Sequence, residues 1–235
     1  MATFPELREP DLRAVTRAWN PVSAEFDSSG AAGSGIGAIE RVAALLALCI
    51  VFPALLVAAC IVVLLSRRCP LVAHSRVGKN GREIWVLKLR TMWGAAVPKS
   101  QVCSWLVERL EVAGVPTPKR PDDPRVSSRF ASFCRRYSID ELPQLLHVIR
   151  GELSLVGPRP MTEAELKTHY GRDAREVLRV KPGLTGLWQI RGRSSLNYRQ
   201  RRRLDLFLVR NWSMRLYLRI LLDTVPRVMT GRNAC

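Results

Sequence analysis

Two adjacent carboxylates, Asp140 and Glu141, are the side chains in this sequence whose types and spacing most directly suggest chemistry. Their neighbourhood is strongly basic and includes Arg135, Arg136 and Arg150. In a catalytic interpretation, one carboxylate acts as nucleophile or metal ligand while arginines bind phosphate oxygens. Magnesium suits this setting, because it binds one or two carboxylates together with substrate phosphates. In a structural interpretation, both acids complement the dipole at a helix start, where Ser138 and Glu141 form a capping box.

Several cations stand next to glycine or proline, residues that shape the backbone and so fix the direction of a neighbouring side chain. Arg159 lies between two prolines, Lys181 precedes a Pro-Gly pair, and Arg193 follows a glycine. Arginine matches phosphate oxygens bidentately. Each position alone is typical of a solvated turn, but together they favour a pocket that binds phosphate groups.

The longest apolar segment, Val42–Leu65, contains no charge; Arg41 precedes it, and Arg67 and Arg68 follow it. As a straight helix rising about 1.5 Å per residue, it would be roughly 36 Å long, which exceeds a hydrocarbon core of about 30 Å. The segment is therefore predicted to enter a membrane.

The middle of this segment contains Phe52-Pro53. Proline removes a backbone donor and breaks a helix, and basic flanks stay on the cytoplasmic side of a membrane. Because both flanks are basic, we predict a re-entrant helix that turns at Phe52 and Pro53 and leaves by the face it entered. A single span across the membrane is the alternative.

The net charge of +17, from 37 Lys and Arg against 20 Asp and Glu, predicts partners with several negative charges. Nucleic acid, anionic lipid and phosphorylated substrates all meet this condition. An apolar segment beside a basic surface favours lipid, since each basic residue near anionic headgroups contributes roughly 1 kcal/mol. Two amphipathic helices, predicted over 197–210 and 214–228, either lie in a membrane interface or pack on the protein core.

Three segments are predicted: a flexible tail over 1–38, a membrane helix over 39–68, and a cytoplasmic catalytic body over 69–235. The six cysteines are scattered and form no C-x-x-C pair, which predicts free thiols in a reducing compartment.

Within the body, Asn80-Gly81 predicts a hairpin turn. Alternation along the second strand places Lys88 and Arg90 on one face. Helices are predicted from near Ser138 to Gly151 and over 162–179.

Five longer stretches, taken in order, resemble the motifs of one protein family. They are Lys88-Leu89-Arg90-Thr91-Met92, Asp123-Pro124-Arg125-Val126, Ser138-Ile139-Asp140-Glu141-Leu142-Pro143-Gln144-Leu145, Ser154-Leu155-Val156-Gly157-Pro158-Arg159-Pro160 and Lys181-Pro182-Gly183-Leu184-Thr185-Gly186-Leu187-Trp188-Gln189-Ile190. The chain closely resembles the bacterial sugar transferase family, the monotopic polyprenyl-phosphate phosphoglycosyl transferases. The resemblance covers about residues 39 to 232 and is to the minimal form, without the extra amino-terminal spans of larger members.

This resemblance implies transfer of sugar 1-phosphate from a UDP-sugar to undecaprenyl phosphate, with release of UMP. It implies an α/β, mostly helical, monotopic membrane protein with a re-entrant helix, interfacial amphipathic helices and a small β-hairpin element. Such proteins bind the cytoplasmic face of the bacterial inner membrane. There they carry out the first membrane step of exopolysaccharide, capsule, O-antigen or glycoprotein glycan assembly.

The resemblance also implies residue roles. Asp140 matches the nucleophile that forms a phosphosugar-enzyme intermediate, and Mg²⁺ binds at the dyad of Asp140 and Glu141. Asp205 matches a recurring acid of the carboxy-terminal region; it is grouped with the substrate-binding residues, and its role stays open. The cations assigned to the diphosphate and the lipid phosphate are Lys88, Arg90, Arg159, Lys181 and Arg193. Expected partners are a UDP-sugar, undecaprenyl phosphate and anionic headgroups; no nucleic acid is expected, and a homodimer is left open.

Two positions depart from the family pattern. Relatives usually carry an acidic residue shortly after the basic start of the membrane helix, where this chain has Val42 and Ala43 after Glu40-Arg41. The Asp-Pro-Arg motif is usually followed by threonine, for which Ser127 or Ser128 must stand in. Neither departure touches the dyad.

Three other functions remain as alternatives. A membrane-anchored nucleic-acid-binding protein would use the carboxy-terminal arginines on phosphate backbones, which explains the charge but not the dyad. A non-catalytic scaffold would keep the fold without the reaction. A true glycosyl transferase would release UDP instead of UMP, so the nucleotide product separates these alternatives.

Overall fold

One long helix, α1 (Ala31–Ser66), precedes a body of short strands and helices. The computed structural model describes residues 31–93, 103–104, 106–110, 126, 128–192 and 196–230. Most of the predicted tail lies outside these residues, as do Arg193 and the Asp-Pro-Arg motif. The helix begins at Ala31, within the segment predicted as tail, so helical structure starts earlier than the sequence suggests.

Helix α1 continues without interruption through Pro53. Its section Gly35–Ser66 is long and apolar enough to cross a membrane, with a mean hydropathy of 3.1. The helix therefore does not end at Phe52, and a turn back toward the face of entry stays a prediction. A proline inside a membrane helix is tolerated where its surroundings satisfy the freed backbone groups.

The two faces of α1 differ in what they contact. On the inner face, Ala44 packs in one cluster with Leu145 of the body. Further along the same face, Ala58 and Val62 pack in a second cluster with Leu89. The outer face leaves large apolar side chains exposed to solvent, among them Val42, Leu46, Ile50, Leu56, Val57 and Leu64. Helix α1 is thus attached to the body along most of its apolar length.

A hairpin opens the body, as Asn80-Gly81 predicts. Strands β1 (Leu71–Val77) and β2 (Glu83–Leu89) pair antiparallel in full register. The turn between them places Asn80 at φ 56° and Gly81 at φ 79°, the left-handed region that asparagine and glycine tolerate best. The sheet is completed by β3 (Cys103–Ser104) and β4 (Val107–Leu110) in the order β2-β1-β4-β3.

The helical segment after the sheet starts differently from the predicted one. Helix α2 (Arg129–Arg136) is followed by a 3₁₀ helix (Ile139–Gln144) and then by α3 (Leu145–Ile149). Ser138 adopts a left-handed conformation, φ 57°, and its side chain makes no capping hydrogen bond within the described part of the chain. The predicted capping box is therefore wrong, because a residue in that conformation cannot aim its hydroxyl at the following N–H groups.

The predicted charged helix over 162–179 is divided into short helical pieces. It consists of α4 (Glu163–Glu165), a π-helical turn (Leu166–Tyr170), a 3₁₀ turn (Gly171–Asp173) and α5 (Ala174–Val177). A true capping box occurs here instead: the Glu165 N–H donates to Thr162 Oγ1 over 3.1 Å, and the Thr162 N–H donates to the Glu165 carboxylate over 2.8 Å. Gly171, at φ 51°, interrupts the helix.

Two parallel strands hold the glycine-containing loops of Arg159 and Lys181 against each other. These are β5 (Ser154–Val156) and β6 (Gly183–Thr185). A Cβ on Gly183 would lie 2.0 Å from the Gly157 backbone nitrogen. Because no other residue fits there, the Arg159 and Lys181 loops depend on glycine at both positions to lie side by side.

The carboxy-terminal third forms α6 (Leu187–Arg191), α7 (Tyr198–Arg210) and α8 (Met214–Thr230). As predicted, Ser213 caps the last helix, accepting from the Leu216 N–H over 3.3 Å. Helix α7 contributes Leu204 and Leu208 to the core. Helix α8 buries Leu216 and Ile220 in the core and exposes an opposite apolar face. Packing on the core is therefore confirmed for its buried face, and a position in the membrane interface stays a prediction.

Cysteine chemistry differs from the sequence expectation at one position. Cys49, Cys60 and Cys134 are free thiols, as predicted. Cys69 is disulfide-bonded. The expectation of free thiols is therefore wrong for Cys69, since pairing depends on which chain segments meet in space and not on the spacing of cysteines along the chain.

Candidate active site

The dyad lies on the 3₁₀ helix that joins α2 to α3. Its first turn is closed by the Glu141 N–H, which donates to the Ser138 carbonyl over 3.0 Å. Asp140 is 5% exposed, whereas the Glu141 side chain is 20% exposed. The two carboxylates therefore meet different environments although they are adjacent in sequence.

Asp140 faces the part of the body that contacts α1. Its negative charge, together with burial as the larger cause, raises the pKa of the Cys134 thiol to about 11. Cys134 packs in the same cluster as Ala58 and Val62 of α1. The nucleophile candidate thus lies close to the long apolar helix.

Lys88 is the predicted cation that the structure brings to the dyad. Its ammonium donates to Glu141 Oε1 over 2.9 Å, and both side chains are about one-fifth exposed. The pair leaves one side of each group open to solvent, where phosphate oxygens or a metal ion have access. Asp140 can attack an electrophilic phosphorus as a nucleophile. The Lys88 ammonium at the adjacent Glu141 can neutralise negative charge on the phosphate oxygens.

A mainly apolar cavity of about 240 Å³ adjoins the dyad. Glu141 and Leu142 line it from the 3₁₀ helix, Leu184 lines it from β6, and Leu221 and Val225 line it from α8. The dyad is therefore bordered by a carbon-rich space as well as by charged groups.

Arg90, which the strand pattern places beside Lys88, has a different environment. It lies just beyond the end of β2 and is 1% exposed. Its Nε donates to the Cys69 carbonyl over 2.7 Å, and its guanidinium pairs with the Glu108 carboxylate. The alternation stops because the strand ends at Leu89, so Arg90 turns inward and links two strands of the sheet.

Arg159 belongs to a separate cluster of three arginines and two carboxylates. Its guanidinium lies 5.2 Å from the Trp188 ring centroid, and that of Arg201 lies 5.4 Å from the same ring. Burial and then repulsion from Arg159 lower the pKa of Arg76 to about 10. Such mutual repulsion among arginines favours binding of an anion.

The carboxylates of this cluster are buried. Burial raises the pKa of Asp205 to about 7, although the Tyr170 hydroxyl donates to its Oδ2 over 2.7 Å and Arg159 opposes the shift. Burial also acts to raise the pKa of Glu165, but Arg159 and other partners outweigh it, so that pKa is lowered. Asp205 therefore has the environment of a residue that stabilises the fold. Arg159 is the residue of this cluster whose surroundings best agree with the predicted role of binding phosphate.

Lys181 lies apart from the dyad. Burial, and then repulsion from Arg41 near the start of α1, lowers its pKa. Its loop packs against the Arg159 loop through the Gly183 N–H, which donates to the Pro158 carbonyl over 2.8 Å. Of the predicted cations, the structure thus brings Lys88 to the dyad and Arg159 and Lys181 to adjoining loops.

Glu40 is a functional candidate that the sequence pattern did not indicate. It is 6% exposed and accepts from the Leu155 N–H over 2.9 Å and from the Tyr217 hydroxyl over 2.5 Å. These bonds join the start of α1 to β5 and α8. Its position directly before Arg41 also supplies an acid at the basic start of the helix, whereas the family pattern has the acid after that basic start.

The dyad has the donor chemistry of a magnesium site. Among the described residues, no group of three or more His, Cys, Asp or Glu side chains could hold a metal ion on its own. Magnesium needs only one or two carboxylates when waters and substrate phosphates supply its other ligands. Asp140 and Glu141 therefore fit a magnesium ion that binds together with a phosphorylated substrate.

Comparison with known proteins gives a consistent family. The sequence model described as bacterial sugar transferase matches residues 36–231. Similar proteins include the UDP-galactose-lipid carrier transferase of Erwinia amylovora, 39% identical over 83% of this chain and 40% of that protein. The exopolysaccharide production protein ExoY of Sinorhizobium fredii is 44% identical over 68% of this chain and 70% of its own length.

A third relative is named for both of its substrates. The UDP-glucose:undecaprenyl-phosphate glucose-1-phosphate transferase of Caulobacter vibrioides is 38% identical over 83% of this chain and 70% of its own length. The chain thus spans 40% of the Erwinia protein and about 70% of the other two. The prediction of family, made from five sequence motifs, is confirmed.

Proposed function

The chain belongs to the bacterial sugar transferase family of enzymes, and from this premise we propose that it transfers sugar 1-phosphate from a UDP-sugar to undecaprenyl phosphate and releases UMP. The observation that carries the proposal is the pair of Glu141 and Lys88 beside an apolar cavity, with the buried Asp140 next to Glu141 in the chain. A reaction between a charged nucleotide sugar and a lipid phosphate needs both environments at one place.

In the first step, a carboxylate oxygen of Asp140 attacks the phosphorus nearer the sugar. The bond from that phosphorus to the bridging oxygen breaks, and UMP leaves with the electron pair. A phosphosugar-aspartyl intermediate remains. Burial of Asp140 keeps competing water away from this intermediate, which favours transfer over hydrolysis.

In the second step, an oxygen of undecaprenyl phosphate attacks the same phosphorus. The acyl-phosphate bond breaks, which restores the Asp140 carboxylate and forms undecaprenyl-diphosphate-sugar. Each step is a displacement at phosphorus, so positioning and charge neutralisation supply most of the catalysis.

Cations of the body have distinct parts in this reaction. Lys88 holds Glu141 and places positive charge at the dyad. Arg159 lies in the arginine cluster that favours an anion, and we assign it to the diphosphate. Lys181 and Arg193 stay assigned to a substrate phosphate by the resemblance alone. A magnesium ion held by Asp140 and Glu141 would neutralise charge on the departing UMP.

Membrane attachment from one side is part of the proposal. The inner face of α1 packs on the body at Ala44 and again at Val62, about 27 Å apart along a straight helix. If α1 crossed the bilayer perpendicular to its plane, these two places would lie at different depths in the membrane. The body residues that contact them, such as Leu145 and Leu89, would then also have to lie at those depths. Contact at both places instead supports a monotopic arrangement, and we propose that it lies on the cytoplasmic face of the inner membrane.

The finer features of that arrangement stay predictions. We propose that α1 re-enters at Phe52 and Pro53, that basic residues contact anionic headgroups, and that the product begins an exopolysaccharide or a related glycan. Relatives named for exopolysaccharide production support the last point.

The test is the nucleotide product. Purified protein in detergent is incubated with Mg²⁺, undecaprenyl phosphate and a panel of UDP-sugars, and nucleotides and lipids are separated. We expect UMP and a labelled lipid diphosphate sugar with at least one donor. Release of UDP would identify a true glycosyl transferase, and tight salt-sensitive nucleic-acid binding without any nucleotide release would favour the nucleic-acid-binding alternative.

A further inference from the structure

We propose that the cavity beside Glu141 binds the first isoprene units of the lipid acceptor, so that its lining selects which polyprenyl phosphates react. The inference rests on the proposed function and adds the location of the acceptor chain. The cavity is lined by the turn that carries the dyad, the start of α3, the strands β5 and β6, the helix α6 and the carboxy-terminal half of α8.

The chemistry of the lining suits a chain of carbon with an anionic end. Leucine and valine side chains form most of the surface, including Leu184, Leu221 and Val225. The charged lining residues are Glu141 and Arg227, and Lys88 is bonded to Glu141. An isoprenyl phosphate can place its carbon chain on the leucines and its phosphate near these cations.

The donor substrate does not suit this space. A uridine ring or a sugar carries several hydrogen-bonding groups, and each costs free energy when it is buried without a partner. The arginine cluster around Arg159 offers the donor's diphosphate a better environment. The cavity is therefore better matched to the acceptor than to the donor.

The size of the cavity fixes how much of the chain it holds. An apolar cavity of about 150 Å³ binds a six-carbon benzene ring, so a cavity of about 240 Å³ has room for roughly ten carbons. That corresponds to one or two five-carbon isoprene units. The remaining units must leave the cavity, so the space outside it has to be apolar as well.

Helix α8 provides that continuation. Leu218, Leu222, Val225 and Met229 recur at the spacing of one helix face, and each is at least half exposed. We call this face the α8 stripe. Val225 belongs both to the stripe and to the cavity lining. A chain that leaves the cavity at Val225 therefore meets further apolar surface, which can border the membrane.

The experiment separates the two half-reactions. Val225→Trp narrows the cavity at an exposed position, where the larger side chain should not disturb folding. The first half-reaction is measured as the UMP released per active site when acceptor is absent. The second is measured as kcat/KM for polyprenyl phosphates of two, four and eleven isoprene units.

We expect Val225→Trp to keep the UMP burst and to lower kcat/KM for each acceptor by roughly tenfold or more. The matched control is Met214→Trp, an exposed position on the same helix about 16 Å along the axis from Val225. It should leave both half-reactions unchanged.

A second measurement does not depend on any variant. A two-unit isoprenyl phosphate with a photoreactive group on its first unit is irradiated with the wild-type protein. We expect cross-links to peptides that carry Leu184, Leu221 or Val225. Cross-links confined to α1 would overturn the inference.

Other outcomes are equally decisive. If Val225→Trp leaves acceptor kinetics unchanged but alters the oligomeric state, the cavity belongs to a contact with a second copy. If it lowers the UMP burst and the acceptor kinetics equally, the cavity serves the donor. If the wild-type protein releases no UMP, the proposed function itself fails, and this inference with it.

Discussion

Carboxylates at the dyad and in the cluster around Asp205 differ in their access to solvent, although Asp140 of the dyad is itself buried. Glu141 pairs with Lys88 at 2.9 Å, and both side chains keep about one-fifth of their surface open. Asp205 is fully buried and is bonded to the Tyr170 hydroxyl. The sequence around each acid is similarly basic, so composition alone does not separate them.

The difference indicates how each cluster uses its charge. Partly open groups can exchange one partner for a ligand at little cost, which is what a reaction site requires. Buried groups lose several kcal/mol when a partner is removed, so they hold the fold in place. Substitutions of Glu141 or Lys88 should therefore affect turnover, and those around Asp205 should affect stability.

The largest expected effect is that of Asp140→Asn. The amide keeps the size of the side chain but cannot act as nucleophile, so turnover should fall by roughly a thousandfold or more. Thermal unfolding and membrane association should stay near those of the wild type. UMP release and a flotation assay measure both; near-normal UMP release by the variant would show that another group is the nucleophile.

Arg90→Met and Lys88→Met form a matched pair two residues apart. Removing Arg90 leaves Glu108 buried without its guanidinium, which should cost about 3–5 kcal/mol of unfolding free energy. Removing Lys88 breaks a partly open pair, so stability should change by less than about 1 kcal/mol while turnover falls. Denaturant titration beside UMP assays checks this contrast. Equal destabilisation of both variants would contradict it.

Glu40→Ala extends the comparison to the start of α1. It leaves the Leu155 N–H and the Tyr217 hydroxyl without their acceptor, at a cost of about 1–3 kcal/mol. Limited proteolysis between α1 and the body should become faster. Glu83→Ala, at an exposed position in β2, serves as control, and an unchanged cleavage rate in Glu40→Ala would show that Glu40 does not hold the helix.

A further expected effect is a pH dependence that comes from Asp205. Its pKa is about 7 in the folded protein against an ordinary value of 3.8, so the folded state binds more protons between these values. Stability contributed by this group should therefore fall as pH rises from about 4 to about 7 and then level off.

Asp205→Asn keeps an acceptor for the Tyr170 hydroxyl and removes the titration. Its melting temperature should vary less between pH 5 and pH 7.5 than that of the wild type, as measured by thermal unfolding in detergent. The same slope in both proteins would assign the pH dependence to other groups.

Local signals in the sequence predicted much of this fold. Asn80-Gly81 fixed the hairpin, because both residues tolerate the left-handed backbone that the turn adopts. Ser213 marked the boundary between α7 and α8. These features depend on neighbours within a few residues, which is the range that pattern analysis covers.

Features that depend on distant contacts were missed or misassigned. Arg90 continued the alternation of β2 in sequence, yet its partners come from other strands and draw it inward. The partners of Glu40 lie more than a hundred residues away along the chain, so no local pattern could identify it. The family motifs predicted a substrate-binding role for Lys88, but its position at the dyad depends on a contact across 53 residues.

Attachment of α1 along its length has a consequence for how the protein is made. A ribosome releases this helix first, but its inner face finds its partners only after Leu145 and neighbouring residues have been synthesised. Until then, both faces of the helix are apolar and uncovered, and early insertion into lipid competes with premature aggregation. Removing the helix to obtain a soluble fragment would leave the complementary seam on the body uncovered, so the shortened protein should require chaperones or detergent to stay dispersed.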